Sequence, residues 1–218
     1  MKPFYFIIFA FFLLNTEVFG QTNLEVKAGT RFLSIKSLND ALIHEGYPKL
    51  NTNALYVYFG RRYETEKWIF NTGISVLGTS GKDNSNISQF MNWGFSIEAG
   101  YKIWGNEKMN LYPYCNIPYI LSSQIRTQQK TDANSFESVY QQPLVDRTFV
   151  NRGELDSTFG LKCAVKIGKS QLLTIGGGYN FKLYQSKWAY VENKIEDFPR
   201  ADCRGWEIAI SLSTFKNK

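Results

Sequence analysis

Apolar and polar positions alternate along most of the chain. Between Trp93 and Ile103 the residues Trp93, Phe95, Ile97, Ala99, Tyr101 and Ile103 are apolar or aromatic, while Gly94, Ser96, Glu98, Gly100 and Lys102 are small or charged. A period of two predicts a strand with one apolar face and one small-polar face. The pattern recurs. Leu24, Val26, Ala28 and Phe32 oppose Glu25, Lys27, Gly29 and Arg31; Leu55, Val57 and Phe59 share a face, with Tyr56 and Tyr58 blurring the contrast. Trp68, Phe70, Ile74 and Val76 oppose Asn71, Gly73 and Ser75, and Leu111, Cys115, Ile117, Tyr119 and Leu121 oppose Asn116, Ser122 and Gln124. Three more stretches follow the rule: Leu155 to Ile167 against Thr158, Gly160, Lys162 and Lys166; Leu173 to Leu183 against Gly176, Gly178, Asn180 and Lys182; and Trp206 to Leu212 against Glu207, Ala209, Ser211 and Ser213. Together these predict an all-β chain, an eight-stranded antiparallel up-and-down transmembrane β-barrel.

The connections carry a second pattern. Links near Glu64–Lys67, Gly105–Lys108 and Gly168–Gln171 are short, and they alternate with long ones near residues 36–53, 78–92, 126–153 and 186–204. In an up-and-down barrel this puts the short turns at one rim and the long loops at the other, with both chain ends on the short-turn side. Within the first long link, Ser37 to Leu42 followed by Gly46 and Pro48 predicts a short helix.

The apolar face must point outward. Its aromatic and branched side chains exceed the interior of an eight-stranded barrel, which holds its own side chains or one small ligand. This argues against a soluble calycin-like barrel, whose exterior would also carry a denser mixture of Lys and Glu. Aromatic residues gather near strand ends, with Tyr63, Trp68, Tyr101, Trp104 and Tyr112 toward the short turns and Trp93, Trp188 and Trp206 toward the loops, as two interfacial belts would require.

The N-terminus reads as an export signal. Lys2 precedes the apolar run Phe4 to Leu14, and Val18-Phe19-Gly20 supplies small-residue positions for cleavage before Gln21. The run is too short for a bilayer that needs about twenty residues. Residues 1–20 are therefore expected to be a cleaved secretory signal and residues 21–218 the barrel domain, in one unit consistent with a chain of 218 residues.

Charge and chemistry narrow the function. The net charge is +6, but with export and no aromatic-basic nucleic-acid motif the excess suits anionic surfaces, and no nucleic-acid partner is expected. Cys115, Cys163 and Cys203 are too widely spaced for a zinc site or a C-x-x-C pair, so no metal is expected. Cys115 and Cys163 fall on the apolar faces of neighbouring predicted strands at similar height, which leaves either a disulfide or two small buried-type side chains. His44, the one histidine, stands beside Glu45 in the first loop; no nucleophile is marked by spacing, and a catalytic site is not expected. Gly176-Gly177-Gly178 lies within a strand with no helix after it, which excludes a phosphate loop and points to close strand packing. Glu25, Lys27, Arg31, Glu98, Lys102, Lys162, Lys166, Lys182 and Glu207 fall on the interior face. In a narrow lumen they must pair or keep water, either as a structural plug or, through their cationic excess, as a thin anion-preferring path.

The export signal, eight alternating strands, turn-and-loop order and last strand Gly205 to Phe215 resemble the small bacterial outer-membrane barrels of the OmpA-like and OmpW-like kind, over essentially the whole mature chain. That resemblance implies a Gram-negative outer membrane and contact with its lipid and lipopolysaccharide. In that family a terminal aromatic residue is read by the barrel-assembly machinery. Phe215 resembles that residue, although Lys216-Asn217-Lys218 follow it and its parity is out of step with the strand. The expected role is structural or surface interaction by a monomer without a cofactor, the long loops meeting surface partners. The alternatives are a narrow solute conduit and, further off, a lipid-modifying barrel enzyme using His44.

Overall fold

The computed structural model describes residues 21–129, 146–191, 193–199, 201 and 203–214. The expected export signal, part of the third long link and Phe215 lie outside them.

Eight long strands make a closed ring: β1 (Gln21–Phe32), β2 (Asn53–Glu64), β3 (Trp68–Lys82), β4 (Asn86–Tyr101), β5 (Met109–Gln129), β6 (Glu154–Ile167), β7 (Gln171–Gln185) and β8 (Gly205–Thr214). Each pairs antiparallel with the next, and β8 closes on β1 through a register running from Arg31 opposite Glu207 to Glu25 opposite Ser213. Closure satisfies the edge amides that a bilayer could not hydrate. Among the described residues no helix is long and apolar enough to cross a membrane.

Alternation decides which way each residue points. Val57, Phe59, Ile74, Ile97, Phe159, Ile175, Ile208 and Ile210 are exposed on the outer surface, each more than 40% accessible. Their small and polar neighbours are buried inside. A girdle of this kind is stable only against hydrocarbon. Trp68, packed edge-on against Tyr101 at 5.0 Å, and Trp104 mark the girdle at the turn end. Trp93 and Trp206 mark it at the loop end. Three residues assigned to the belts belong elsewhere: Tyr112 is 0% exposed inside the barrel, Trp188 lies in the apolar core at the loop end, and Tyr63 is buried.

The second long link is not a loop. β3 and β4 continue to Lys82 and Asn86, leaving residues 83–85 as a tight turn in which Asp83 accepts from the amides of Ser85 and Asn86. Beyond Val76 and Met91 the outward positions of this hairpin become Ser80, Lys82 and Gln89, so it rises out of the girdle as a polar-faced wall. β5 and the short strand Asp146–Asn151 extend the wall, and Ala189–Tyr190 with Asn193–Lys194 complete it.

Two bulges shift the alternation. One lies in the β4–β5 pairing at Trp93/Gly94, and past it Ser123 and Ile125 are buried while Ser122 and Gln124 turn outward, the reverse of the strict period. The other lies in the β6–β7 pairing after Leu155, where Leu183 of β7 is left unpaired and Asp156 keeps the inward parity of Thr158. Register also separates two cysteines expected at one height. Cys115 opposes Phe159 and Cys163 opposes Leu111, four residues along the strand, and both thiols are free.

The helix α1 (Lys36–His44) folds back over the mouth of the barrel. Leu38 and Leu42 join Leu33, Ile35, Leu50, Leu77, Phe90, Ile125 and Trp188 in one buried apolar core, which the inner face of the wall covers. Asn39 fixes the return by exchanging two hydrogen bonds with the Leu50 backbone, at 2.8 and 3.0 Å.

Candidate functional site

Two places concentrate chemistry: the lumen and a cleft beside α1. In the lumen, Glu98 of β4 is the hub. It accepts from Lys27 of β1 at 3.0 Å, from Asn71 of β3 at 2.8 Å and from Lys162 of β6. Nearer the loops, Arg31 donates to Glu207 at 3.0 Å, with Asp156 3.8 Å away. Lys182 donates to Glu154 at 2.7 Å, and Gln185 to the same carboxylate at 3.1 Å. Toward the turns, Arg62 donates to Glu64 at 3.2 Å and to the Tyr112 hydroxyl at 3.1 Å, and Lys102 reaches Glu64 at 2.6 Å.

Four of these cations also lie over tyrosine rings: Lys27 over Tyr58 at 4.7 Å, Lys162 over Tyr114 at 4.2 Å, Arg31 over Tyr56 at 5.6 Å and Arg62 over Tyr112 at 5.7 Å. A ring face against an ammonium or guanidinium returns part of the hydration energy lost on enclosure. The rings also fill cross-section that a water path would need.

Of the nine charges expected inside, Glu25, Lys27, Arg31, Glu98, Lys162 and Glu207 are buried in the lumen. Lys182 is half-buried at its loop end and Lys102 at its turn end. Lys166 is exposed, beyond the last turn of the lumen where β6 ends. Four members went unforeseen: Arg62, Glu64, Glu154 and Asp156. With them the expected cationic excess disappears. Among the described residues the lumen holds six cations (Lys27, Arg31, Arg62, Lys102, Lys162, Lys182) and six carboxylates (Glu25, Glu64, Glu98, Glu154, Asp156, Glu207), and is formally neutral; the buried Glu25 carboxylate accepts no hydrogen bond from them. With no net charge, the lumen lacks the cationic excess that would favour anions.

Apolar groups close both ends of this charged layer. The core under α1 covers it at the loop end, and Ile69, Tyr112, Tyr114, Ala164 and Leu172 pack together at the turn end. The glycine triplet belongs to this packing. A Cβ at Gly178 would come within 2.6 Å of the Tyr114 hydroxyl and 2.6 Å of the Phe159 carbonyl, so the ring of Tyr114 fits only because that strand lacks a side chain there.

The cleft, of ≈ 440 Å³, opens between α1, the β5 extension, the strand Asp146–Asn151 and the segment 195–199. Its walls are mostly apolar, with Leu42, Ile125 and Phe149 among them, and Phe149 meets Phe198 at 5.1 Å between ring centres. His44 stands at its rim, where its Nδ1 lies 3.2 Å from Glu45. The His44 side chain is 85% exposed.

No family model and no curated protein matches this sequence. Solved structures do. A major outer membrane protein from Thermus thermophilus aligns with a TM-score of 0.53 at 9% identity, over 90% of this chain and 98% of that one. The fold is that of the small outer-membrane β-barrels. Ail, the attachment invasion locus protein of Yersinia pestis, aligns at 0.46 with 12% identity over 90% of this chain and 97% of its own. Neisserial surface protein A aligns at 0.42 with 10% identity over 89% and 96%. At 9% identity to the Thermus protein the likeness is one of fold, and the chemistry of the loops is this chain's own.

Proposed function

We propose that the mature chain is a monomeric, non-conducting barrel of a Gram-negative outer membrane, with a structural or surface-interaction role carried by its loop end. The observation behind this reading is the filled lumen: a neutral ion-pair layer held between two apolar layers. The described chain begins and ends at the turn end, so the helix-capped loop end faces the cell exterior in the usual barrel orientation. Outer-membrane lipid and lipopolysaccharide surround the girdle, insertion proceeds through the barrel-assembly machinery, and loop contacts are made with partners outside the cell. The role assigned is not enzymatic: His44 stands exposed at the C-terminal end of α1 with Glu45 as its hydrogen-bond neighbour.

The test is reconstitution in planar bilayers of protein that shows heat-modifiable gel migration. The expected trace is silent. Ohmic unitary steps from the folded band would overturn the reading in favour of a conduit, and loss of lipid A acyl groups in cells expressing the native chain but not His44→Ala would favour an enzyme.

A further inference from the structure

The girdle carries one charge. Among the described residues, the outward positions between the two aromatic belts are apolar, small or hydroxyl-bearing, with the exception of Arg61 on β2. Arg61 has the parity of Val57 and Phe59, and like them it is exposed. A charge on the lipid face is costly at the bilayer midplane and cheap near an interface. Arg61 stands three residues, about 10 Å of strand, from the turn-end limit of β2 at Glu64. Its aliphatic stem suits hydrocarbon, and its length lets the head bend toward the headgroups beyond the turn.

No described group of this chain meets that head. The residues opposite Arg61 are Leu24 on β1 and Thr72 on β3, neither of them acidic. The guanidinium forms no ion pair, ring contact or side-chain hydrogen bond with a described residue. A second copy of the barrel could not supply the counter-charge through its own girdle, where no carboxylate lies among the described residues. Lipid is what surrounds this position, and the lipid group that fits a guanidinium is a phosphate, which takes two parallel charge-assisted bonds from its planar fork. A headgroup with one net negative charge leaves the pair neutral. A zwitterionic one leaves the positive charge of Arg61 uncompensated at the edge of the hydrocarbon.

We infer that Arg61 anchors a binding site for one anionic phospholipid in the leaflet at the turn end, its phosphate on the guanidinium and its acyl chains along Leu24 and Phe59. Both side chains are exposed on the same face, Leu24 at 46% and Phe59 at 55%. The site rests on the orientation proposed above only for its place in the cell, where the turn end meets the periplasmic leaflet.

The experiment keeps the two apart. Nanodiscs of equimolar phosphatidylglycerol and phosphatidylethanolamine present both lipids on both faces, so the binding result does not depend on orientation. Only protein with heat-modifiable migration is used, so a failure of the barrel reading shows first in the gel. Native mass spectrometry of the released protein should find one phosphatidylglycerol retained in preference to phosphatidylethanolamine. Arg61→Gln, which takes a charge off the lipid face and so does not endanger folding, should lower that occupancy about tenfold. Lys169→Gln, which removes an exposed charge from another turn at the same rim, should leave it unchanged. Adding phosphatidylglycerol to phosphatidylcholine vesicles should raise the urea midpoint of the native chain and not that of Arg61→Gln. Equal retention of the two lipids, an equal loss in Lys169→Gln, the same midpoint rise in Arg61→Gln, or displacement of phosphatidylglycerol by an equal concentration of lipopolysaccharide would each overturn the assignment.

Discussion

Lys27 of β1 donates to Glu98 of β4 at 3.0 Å, although β2 and β3 stand between those strands in the ring. The bond crosses the lumen, and Lys162 of β6 meets the same carboxylate from another side. Glu98→Gln would leave two enclosed ammonium groups facing each other. The expected loss is about 3–5 kcal/mol of unfolding free energy, read from urea-dependent loss of the heat-modifiable band in lipid vesicles. Adding Lys27→Met and Lys162→Met should recover most of it. An unchanged midpoint for Glu98→Gln would mean the carboxylate is not what holds those two cations.

Orientation is tested on a single strand. Ile97 is 45% exposed on the girdle near its middle, whereas Gln89 faces outward on the wall beyond it. Ile97→Arg should cost about 2–4 kcal/mol in a bilayer, and Gln89→Arg less than about 0.5 kcal/mol. Equal effects in the same vesicle assay would contradict a girdle in contact with lipid.

The glycine triplet offers a contrast between adjacent residues. A Cβ on Gly178 meets the Tyr114 hydroxyl and a backbone oxygen, both at 2.6 Å, while one on the outward Gly177 meets nothing closer than the Glu207 carbonyl at 3.2 Å. Gly178→Ala is expected to destabilise by about 1–3 kcal/mol through overpacking, with Gly177→Ala close to neutral. Comparable midpoints for the two variants would show that Tyr114 yields freely.

Cys203, in the segment leading to β8, is fully buried, and burial pushes its thiol up to about 12. At pH 8 the thiolate population is then about a thousandfold below that of an ordinary exposed cysteine. Folded protein should leave Cys203 unmodified by N-ethylmaleimide over hours at pH 8, and urea-unfolded protein should react within minutes. Raising the pH increases the thiolate fraction, so any residual native reaction should accelerate toward pH 10. Rapid modification at pH 8 without unfolding would mean that the core under α1 opens readily.

The ring itself was legible because lipid and lumen impose opposite demands on successive residues, and β1, β4 and β8 obey them with little interruption. The alternation breaks where another force competes. Tyr56 and Tyr58 blurred the alternation of β2 because their rings are enclosed beside Arg31 and Lys27. That pairing of inward Tyr with inward cation was the available signal for the lumen packing, and the same pairing, unread, joins Arg62 to Tyr112. Ser122 and Gln124 were misplaced by a bulge, which leaves no mark in a strict period of two, whereas Asp156 shares the inward parity of Thr158 and was passed over. The second long link was taken for a loop because outside the girdle its outward face turns polar, and polarity there means water on a strand, not the end of one. The cleft had no sequence signature, since its walls come from four separate segments.

Arg31 and Glu207 lie opposite each other on the first and last strands of the ring. Neither can meet its counterpart until the two ends of the polypeptide have come together, and until then both must stay hydrated. Sealing the cylinder and expelling solvent from its charged centre are thus one event, so that seam acts as a latch: a barrel left open there keeps a wet, uncompensated interior that a bilayer will not tolerate.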